Sequence, residues 1–411
     1  MTAPLFDAAV IGAGPAGLAT AVSLATAGCS TVLAGPAHSP DPARPDTRTT
    51  ALLRASVQLL RNTGVWSLCE DEAAPLDTIR LIDDTGRLLK SPEITFNAHE
   101  LGNGPFGYNI ANTALVAALY ERARELPNLS LVATSGAVSV EPGDAAVAVQ
   151  LAEGNTLTAR LVAGADGRKS ICRAAARIGK RDWRYPQMAL AFNFSHSDPH
   201  ENCSSEFHRR AGPFTTVPLP GGRSSLVWVE THAEAERLMT LDDGALIEVM
   251  EQRLHGLLGT VTEVGPRAAF PLSGMIAGRF AANRIALVGE AAHVIPPIGA
   301  QGLNLGFRDA AALADHAGKA IEEGSDPGGD AVMRGYDLAR RADVGTRTIA
   351  VDLLNRSLIS GFLPLHAARG IGLHVLAAAG PLRRFFMREG LSPQIGLPRL
   401  MQPVDPGAAV S

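Results

Sequence analysis

The chain is poor in cysteine. It has four in 411 residues (Cys29, Cys69, Cys172, Cys203), widely spaced and without a C-x-x-C pair. That pattern excludes a disulfide framework and a cysteine-built metal centre, and it points to a reducing compartment. Charge of one sign is also lacking. The 37 basic residues face 41 acidic ones, the net charge is −4, and no basic run stands out. A nucleic-acid partner is therefore not expected. No uncharged apolar run reaches the ~18 residues of a membrane span. The start, MTAPLFDAAVIG, lacks the basic segment of a signal peptide. No internal repeat is visible. What remains is a chain with 46% hydrophobic residues. It is long enough for two or three domains of ~100–200 residues each.

The first informative stretch is at the start. Phe6 to Ile11 is an apolar run that reads as a buried strand, GAGPAG follows, and LATAVSLATAG continues at helical spacing. Thr31 to Ala34 reads as the next strand. This is a β-α-β unit carrying G-x-G-x-x-G. In such a unit the first glycine allows the tight turn. The second lets the backbone approach a pyrophosphate, and the third lets helix and strand pack closely. The acid usually found after the second strand, to hold ribose hydroxyls, is absent. The chain reads Ala34, Gly35, Pro36 there, with Asp41 the nearest carboxylate.

A second stretch, Arg284 to Asp309, reads RIALVGEAAHVIPPIGAQGLNLGFRD. The branched apolar run to Val288 predicts a strand, and Pro296, Pro297 and Gly299 force a turn. Leu303, Phe307, Ala310 and Leu313 then predict a helix. The loop thus delivers a helix N-terminus, with free N–H groups and partial positive charge suited to an anion. A third stretch, LVAGADGRKS at Leu161–Ser170, ends a predicted strand in Gly164, Asp166 and Gly167.

Between these, DTRTTAL at Asp46–Leu52 feeds a helix, with Arg48 just before it. Thr78–Asp83 and Leu88–Phe96 read as strands about a turn at Asp84–Gly86. Ala111–Leu126 reads as a helix, and Leu129–Val162 as a small β-meander. Ala189–Glu230 is strand-rich, and helices follow near Ala233–Met239 and Ala245–Leu258. Ala331–Leu358 is a long amphipathic helix with Arg340, Arg341 and Arg347 on a polar side. Leu363–Phe386 is apolar with scattered Arg and His, a pattern open to packing on the body or lying on a membrane surface.

GAGPAG, GADG and LVGEAAHVIPPIGAQGLNLGFRD, in that order, resemble the FAD-dependent aromatic hydroxylases, and within them the UbiH-type hydroxylases of ubiquinone biosynthesis. DTRTTAL, YNIANTAL from Tyr108 and GPFTTVPLPGGRSSLVW from Gly212 extend the resemblance over nearly the whole chain. It implies an α/β (α+β) architecture. A Rossmann-like FAD-binding domain is split into 1–75, 106–185 and 276–325. An antiparallel-sheet substrate domain takes 76–105 and 186–275, and a helical region takes 326–411.

By the same resemblance Gly12, Gly14, Ala16 and Gly17 approach the FAD pyrophosphate. Arg48 and Asn112 contact the flavin nucleotide, and Asp166 and Gly167 lie near FAD and the nicotinamide approach path. Gly289 and Glu290 match a motif that usually carries Asp. Glu290 is one methylene longer, so its contact must shift and altered FAD affinity is expected. Pro296, Gly299, Ala300, Gly302, Leu303 and Asn304 lie against the isoalloxazine ring, where backbone N–H groups stabilise its developing negative charge.

The implied activity is monooxygenation of a phenolic, polyprenylated ring by NAD(P)H and O2 through a flavin C4a-hydroperoxide. His208 and His293 are candidate bases; Pro296 and Gly299 are the other catalytic candidates, and Gly299 and Gly302 leave room for oxygen above the ring. Phe207, Pro218, Leu219, Trp228 and Pro271 are candidate pocket residues. The expected setting is cytoplasmic or peripheral to the inner membrane, with a membrane contact or a biosynthetic complex as partner. Three alternatives stay open: a same-fold enzyme of a soluble aromatic, a prenyl-chain reductase, and a non-catalytic accessory protein.

Overall fold

The computed structural model describes residues 4–38, 46–86, 93–102, 104–297, 299, 301–359 and 396–403. Strand β1 (Leu5–Ile11) lies at the centre of a parallel sheet. It pairs on one side with β2 (Thr31–Gly35) and on the other with Thr156–Gly164. Beyond these lie Leu129–Ala133 and Ile285–Leu287, also parallel. Parallel sheets are covered on both faces, which is why β1 reads as a continuous apolar run: Ala8 to Ile11 are all buried.

Helix α1 (Pro15–Thr26) follows β1. Strand β3 (Thr49–Leu53) leads directly into α2 (Arg54–Asn62), so DTRTTAL is extended chain feeding a helix. Helix α3 (Asn112–Glu125) leads to Leu129–Ala133. That strand was expected in the meander and instead joins the parallel sheet beside β2. It is the edge strand of that sheet, and only Leu129 of its five residues is buried, so its pattern does not distinguish it from a strand of a meander. The meander proper is Ala137–Pro142, Val147–Leu151 and Thr156–Gly164.

Helix α4 (Ile171–Ala175) precedes a 17-residue strand, Lys180–His196, the spine of a second sheet. This sheet runs from His293–Val294 through Ala268–Ala277, Lys180–His196, Arg223–Glu230, Pro213–Leu219 and Cys203–His208 to Thr78–Asp83 and Ile94–Asn97. Its pairs are antiparallel except one: Cys203–His208 runs parallel to Thr78–Asp83, a strand contributed from far earlier in the chain. Helices α5 (His232–Thr240) and α6 (Asp243–Leu254) cover one face. Under them Phe192, Phe194, Phe207, Phe214, Trp228, Leu246 and Met250 form a separate core.

Helix α7 (Gln301–Glu322) returns to the first body, where it packs on α1, and α8 (Asp330–Ile359) follows it. Residues 396–403 come back to the same place: Asn62 donates to the Leu400 and Gln402 carbonyls, and the Arg399 N–H donates to Asp315. Asp41 and Leu363–Phe386 lie outside the described residues. No described helix is long and apolar enough to cross a membrane.

Candidate functional site

The glycine turn after β1 separates structural from open positions. Gly12 has φ +112°, and a Cβ on it would sit 2.3 Å from the Ala165 carbonyl oxygen. A Cβ on Gly17 would lie 1.8 Å from the Gly12 carbonyl oxygen. Both glycines are therefore required by the fold alone. Gly14 is different. It is the N-cap of α1, makes no side-chain cap bond, and a Cβ there meets nothing within 4 Å. Pro15 and the absence of acid in the first turn complete an open helix start with unpaired N–H groups. That surface fits a diphosphate.

Where the acid after β2 is missing, the chain is tightly packed. A Cβ on Gly35 would lie 2.6 Å from the Ala13 nitrogen, so the end of β2 runs against the glycine turn.

Two other stretches converge on this turn. Gly289 has φ +58°, and a Cβ on it would approach the Ala16 methyl to 3.0 Å. Ala165, next to Asp166, already packs on Gly12. Asp166 Oδ2 accepts from the Cys172 N–H at 3.1 Å, while its Oδ1 is buried with no hydrogen-bond partner. Gly167 takes φ +76°. Glu290 is exposed and accepts from Arg168 Nε and Nη2 at 3.2 and 3.0 Å. Arg168 Nη1 also reaches Ser273 Oγ at 3.1 Å. The pair thus ties the Asp166 stretch, the Glu290 stretch and the second sheet together. Both partners are more than half exposed, so the pair itself adds only about 0–1 kcal/mol.

Arg48 binds Asp46 through Nε and Nη2, both at 2.7 Å, and lies 5.9 Å over the Phe270 ring. The Asp46 hydrogen bonds and, more weakly, the Glu290 charge hold its guanidinium above the usual range. The Asn112 N–H donates to the Arg48 carbonyl, and its Oδ1 accepts from Thr50.

In the proline loop Pro296 is buried, while Pro297 and Gly299 are exposed. Gly299 takes φ +66°. Ala300 lies outside the described residues. Gly302 and Leu303 occupy the first turn of α7. Asn304 is buried, and its side chain is committed inward. Oδ1 accepts from the Leu53 N–H and Ser56 Oγ, and Nδ2 donates to the Ala51 carbonyl. It thereby locks the start of α7 to β3 and α2.

The sequence pattern concealed a charge network behind these loops. Asp309 is fully buried. Its Oδ2 accepts from the Gly289 N–H at 2.9 Å and His293 Nε2 at 2.7 Å, and its Oδ1 from Arg340 Nε at 2.6 Å. Arg340 continues to Asp343, which also binds Arg308 and Arg347. Arg347 donates to Gln301 at the head of α7. Burial opposes ionisation of Asp309, but His293 and Arg340 hold its carboxyl below the usual range. Arg340 was expected on a polar side of its helix; its side chain is 3% exposed and bound to carboxylates. Spacing registers its charge and cannot register partners 31 residues away.

His293 is part of this interior network. His208 lies in the second sheet with Nε2 at 2.6 Å from Glu206. Its strand is four spacings from Ala268–Ala277, roughly 19 Å from the strand that meets Arg168. Of the expected pocket residues, Phe207 and Trp228 belong to the core under α5 and α6. Leu219 is buried, Pro218 is buried with its carbonyl accepting from Asn109, and Pro271 is exposed. Arg173 was not anticipated. It is buried and binds the Ala291 and Arg168 carbonyls, joining the Asp166 and Glu290 stretches. DGRKSICR offered only a basic residue as its signal.

The family model described as "FAD binding domain" matches residues 6–348. The ubiquinone hydroxylase UbiL of Rhodospirillum rubrum is 36% identical over 406 residues, covering 97% of this chain and 93% of that protein. The 3-demethoxyubiquinol 3-hydroxylase of Escherichia coli is 30% identical over 395 residues, covering 95% and 100%. The crystal structure of p-nitrophenol 4-monooxygenase PnpA from Pseudomonas putida matches with a TM-score of 0.76 at 20% identity, covering 96% and 100%, which speaks to the fold.

Proposed function

This chain belongs to the FAD-binding-domain family and is an FAD-dependent monooxygenase; from that premise we propose that it hydroxylates the phenolic ring of a polyprenylated ubiquinone precursor, using NAD(P)H and O2. The observation that carries the reading is the open start of α1 at Gly14, against which the Gly289 loop and the Asp166 stretch both pack. A diphosphate fits there, and hydroxylases of ubiquinone precursors are the relatives aligned over most of the chain.

The N–H groups of Gly14, Ala16 and Gly17 would hold the pyrophosphate. Arg48 and Asn112 would hold the nucleotide, and Asp166 would accept from a ligand donor through its unpartnered Oδ1. Gly289 and Glu290 would border the ribityl chain, with Glu290 steered by Arg168. Bound FAD supplies the electron transfer and oxygen activation. The first-turn N–H groups of α7, from Gln301 to Leu303, would stabilise negative charge developing on the bound flavin. Asn304 and the Asp309 network keep that helix start in place, and the second sheet excludes water. His208 and His293 each commit a ring nitrogen to a carboxylate, so neither is assigned as the base. NAD(P)H docks transiently, consistent with a single β-α-β unit carrying G-x-G-x-x-G; the second such string, Gly102–Gly107, leads into a strand instead of a helix. A polyprenyl substrate also requires the protein to meet a membrane surface or a partner of the same biosynthesis.

Substrate should stimulate NAD(P)H oxidation, with labelled oxygen from O2 entering the product. Label arriving from water instead rules the reaction out.

A further inference from the structure

The charge network beside α7 does not balance. Among the described residues, Arg308, Arg340 and Arg347 meet the carboxylates Asp309 and Asp343, three cations against two anions. The Arg308 side chain is 9% exposed and binds Asp343 through Nε, yet its Nη1 is buried with no hydrogen-bond partner. Burial, with Arg340 and Arg347 nearby, pushes its pKa below the usual range against the pull of Asp343.

A cavity of about 20 Å³ opens beside the Arg308 side chain, lined by Leu53, Ala55, Ser56, Gln301, Arg308 and Arg347 among others. One water needs roughly 10–15 Å³ on this measure, so the space holds a single small particle. Helix α2 begins here. It is nine residues long, with Leu53 as N-cap, no side-chain cap bond and no acid in its first turn. Its first-turn N–H groups, at Ala55 and Ser56, lack intrahelical acceptors. The other polar groups of the lining are occupied. Ser56 Oγ donates to Asn304, Gln301 Nε2 donates to the Gly299 carbonyl, and Gln301 Oε1 accepts from Arg347. Among the described residues no carboxylate lines the cavity.

We propose that this cavity binds one small monovalent anion of the chloride class, held between the N-terminus of α2 and the Arg308 and Arg347 guanidinium groups. The anion cancels the excess charge, which water of the same size leaves uncompensated. It ties α2, α7 and α8 together at the start of α7. The site therefore links halide concentration to the rigidity of the helix end assigned above to the flavin ring, while its occupancy does not depend on that assignment.

The test uses the full chain at constant ionic strength, with chloride replaced by gluconate, which is too large for the cavity. Tm should rise by about 2–4 °C as chloride saturates. Arg308→Gln should remove the chloride dependence. Because that variant risks misfolding, crystals of the unaltered protein grown in bromide provide the second reading: an anomalous peak in the cavity, beside Arg308. Absence of that peak overturns the proposal whichever way Tm moves. A peak with an unchanged Tm shows binding at crystal concentration only and overturns it as well.

Discussion

Replacing Asp309 by Asn should lower stability by about 3–5 kcal/mol, because it takes from the buried Arg340 one of its two carboxylate partners and leaves Asp343 to balance three arginines. With the whole molecule marginally stable, that is a large share, and Tm should fall by about 4–6 °C for a chain of this size. Arg340→Met should cost a similar amount, since Asp309 is fully buried and loses its guanidinium contact. The double variant should cost clearly less than the two single losses added together, because each single change strands the other's charge. Thermal unfolding of all four proteins checks this; a loss under about 1 kcal/mol for Asp309→Asn contradicts it.

The pH dependence has a definite sign. Asp309 titrates below its usual range in the folded chain, held there by His293 and Arg340 against the effect of burial. Its contribution is therefore complete above the unfolded value of about 4 and is lost as pH falls through the depressed folded value. The Tm gap between the parent protein and Asp309→Asn should be constant at neutral pH and narrow in acid. The Gly289 N–H accompanies this loss, since Asp309 Oδ2 is its acceptor. The variant should thus also loosen the loop placed beside the cofactor.

The second large effect separates the glycines of one motif. Gly17→Ala puts a methyl 1.8 Å from the Gly12 carbonyl oxygen, backbone against backbone, and should give protein that folds poorly or not at all. Gly14→Asp meets open space and should leave Tm nearly unchanged. Its carboxylate sits at the α1 N-terminus, where like charge next to a diphosphate costs several kcal/mol. FAD affinity should fall about 100-fold or more, since each 1.4 kcal/mol is tenfold. Titration of apoprotein with FAD, read alongside Tm, distinguishes the two cases. Equal FAD affinity for Gly14→Asp and parent removes the diphosphate from this turn.

The glycine turn was legible because its meaning is local: spacing alone predicts a tight turn, an open helix start and a close packing point. The buried strands β1 and Ile285–Leu287 were legible as apolar runs. Other features depend on partners far along the chain. Nothing in VLAGP shows that the end of β2 runs against the glycine turn, as Gly35 does against Ala13. Leu129–Ala133 reads the same as an edge strand in either kind of sheet, so its pairing with β2 was missed. Asn304 looked like a ligand contact and instead fastens α7 to β3 and α2. Arg340 looked solvated because helical spacing carries no record of Asp309.

The most direct test is a crystal structure of the protein with FAD bound. The account predicts the diphosphate within hydrogen-bonding distance of the amides from Gly14 to Gly17, and the ring's carbonyl edge at the first turn of α7, from Gln301 to Leu303. A ring lying elsewhere, with that helix start facing solvent or side chains, contradicts it.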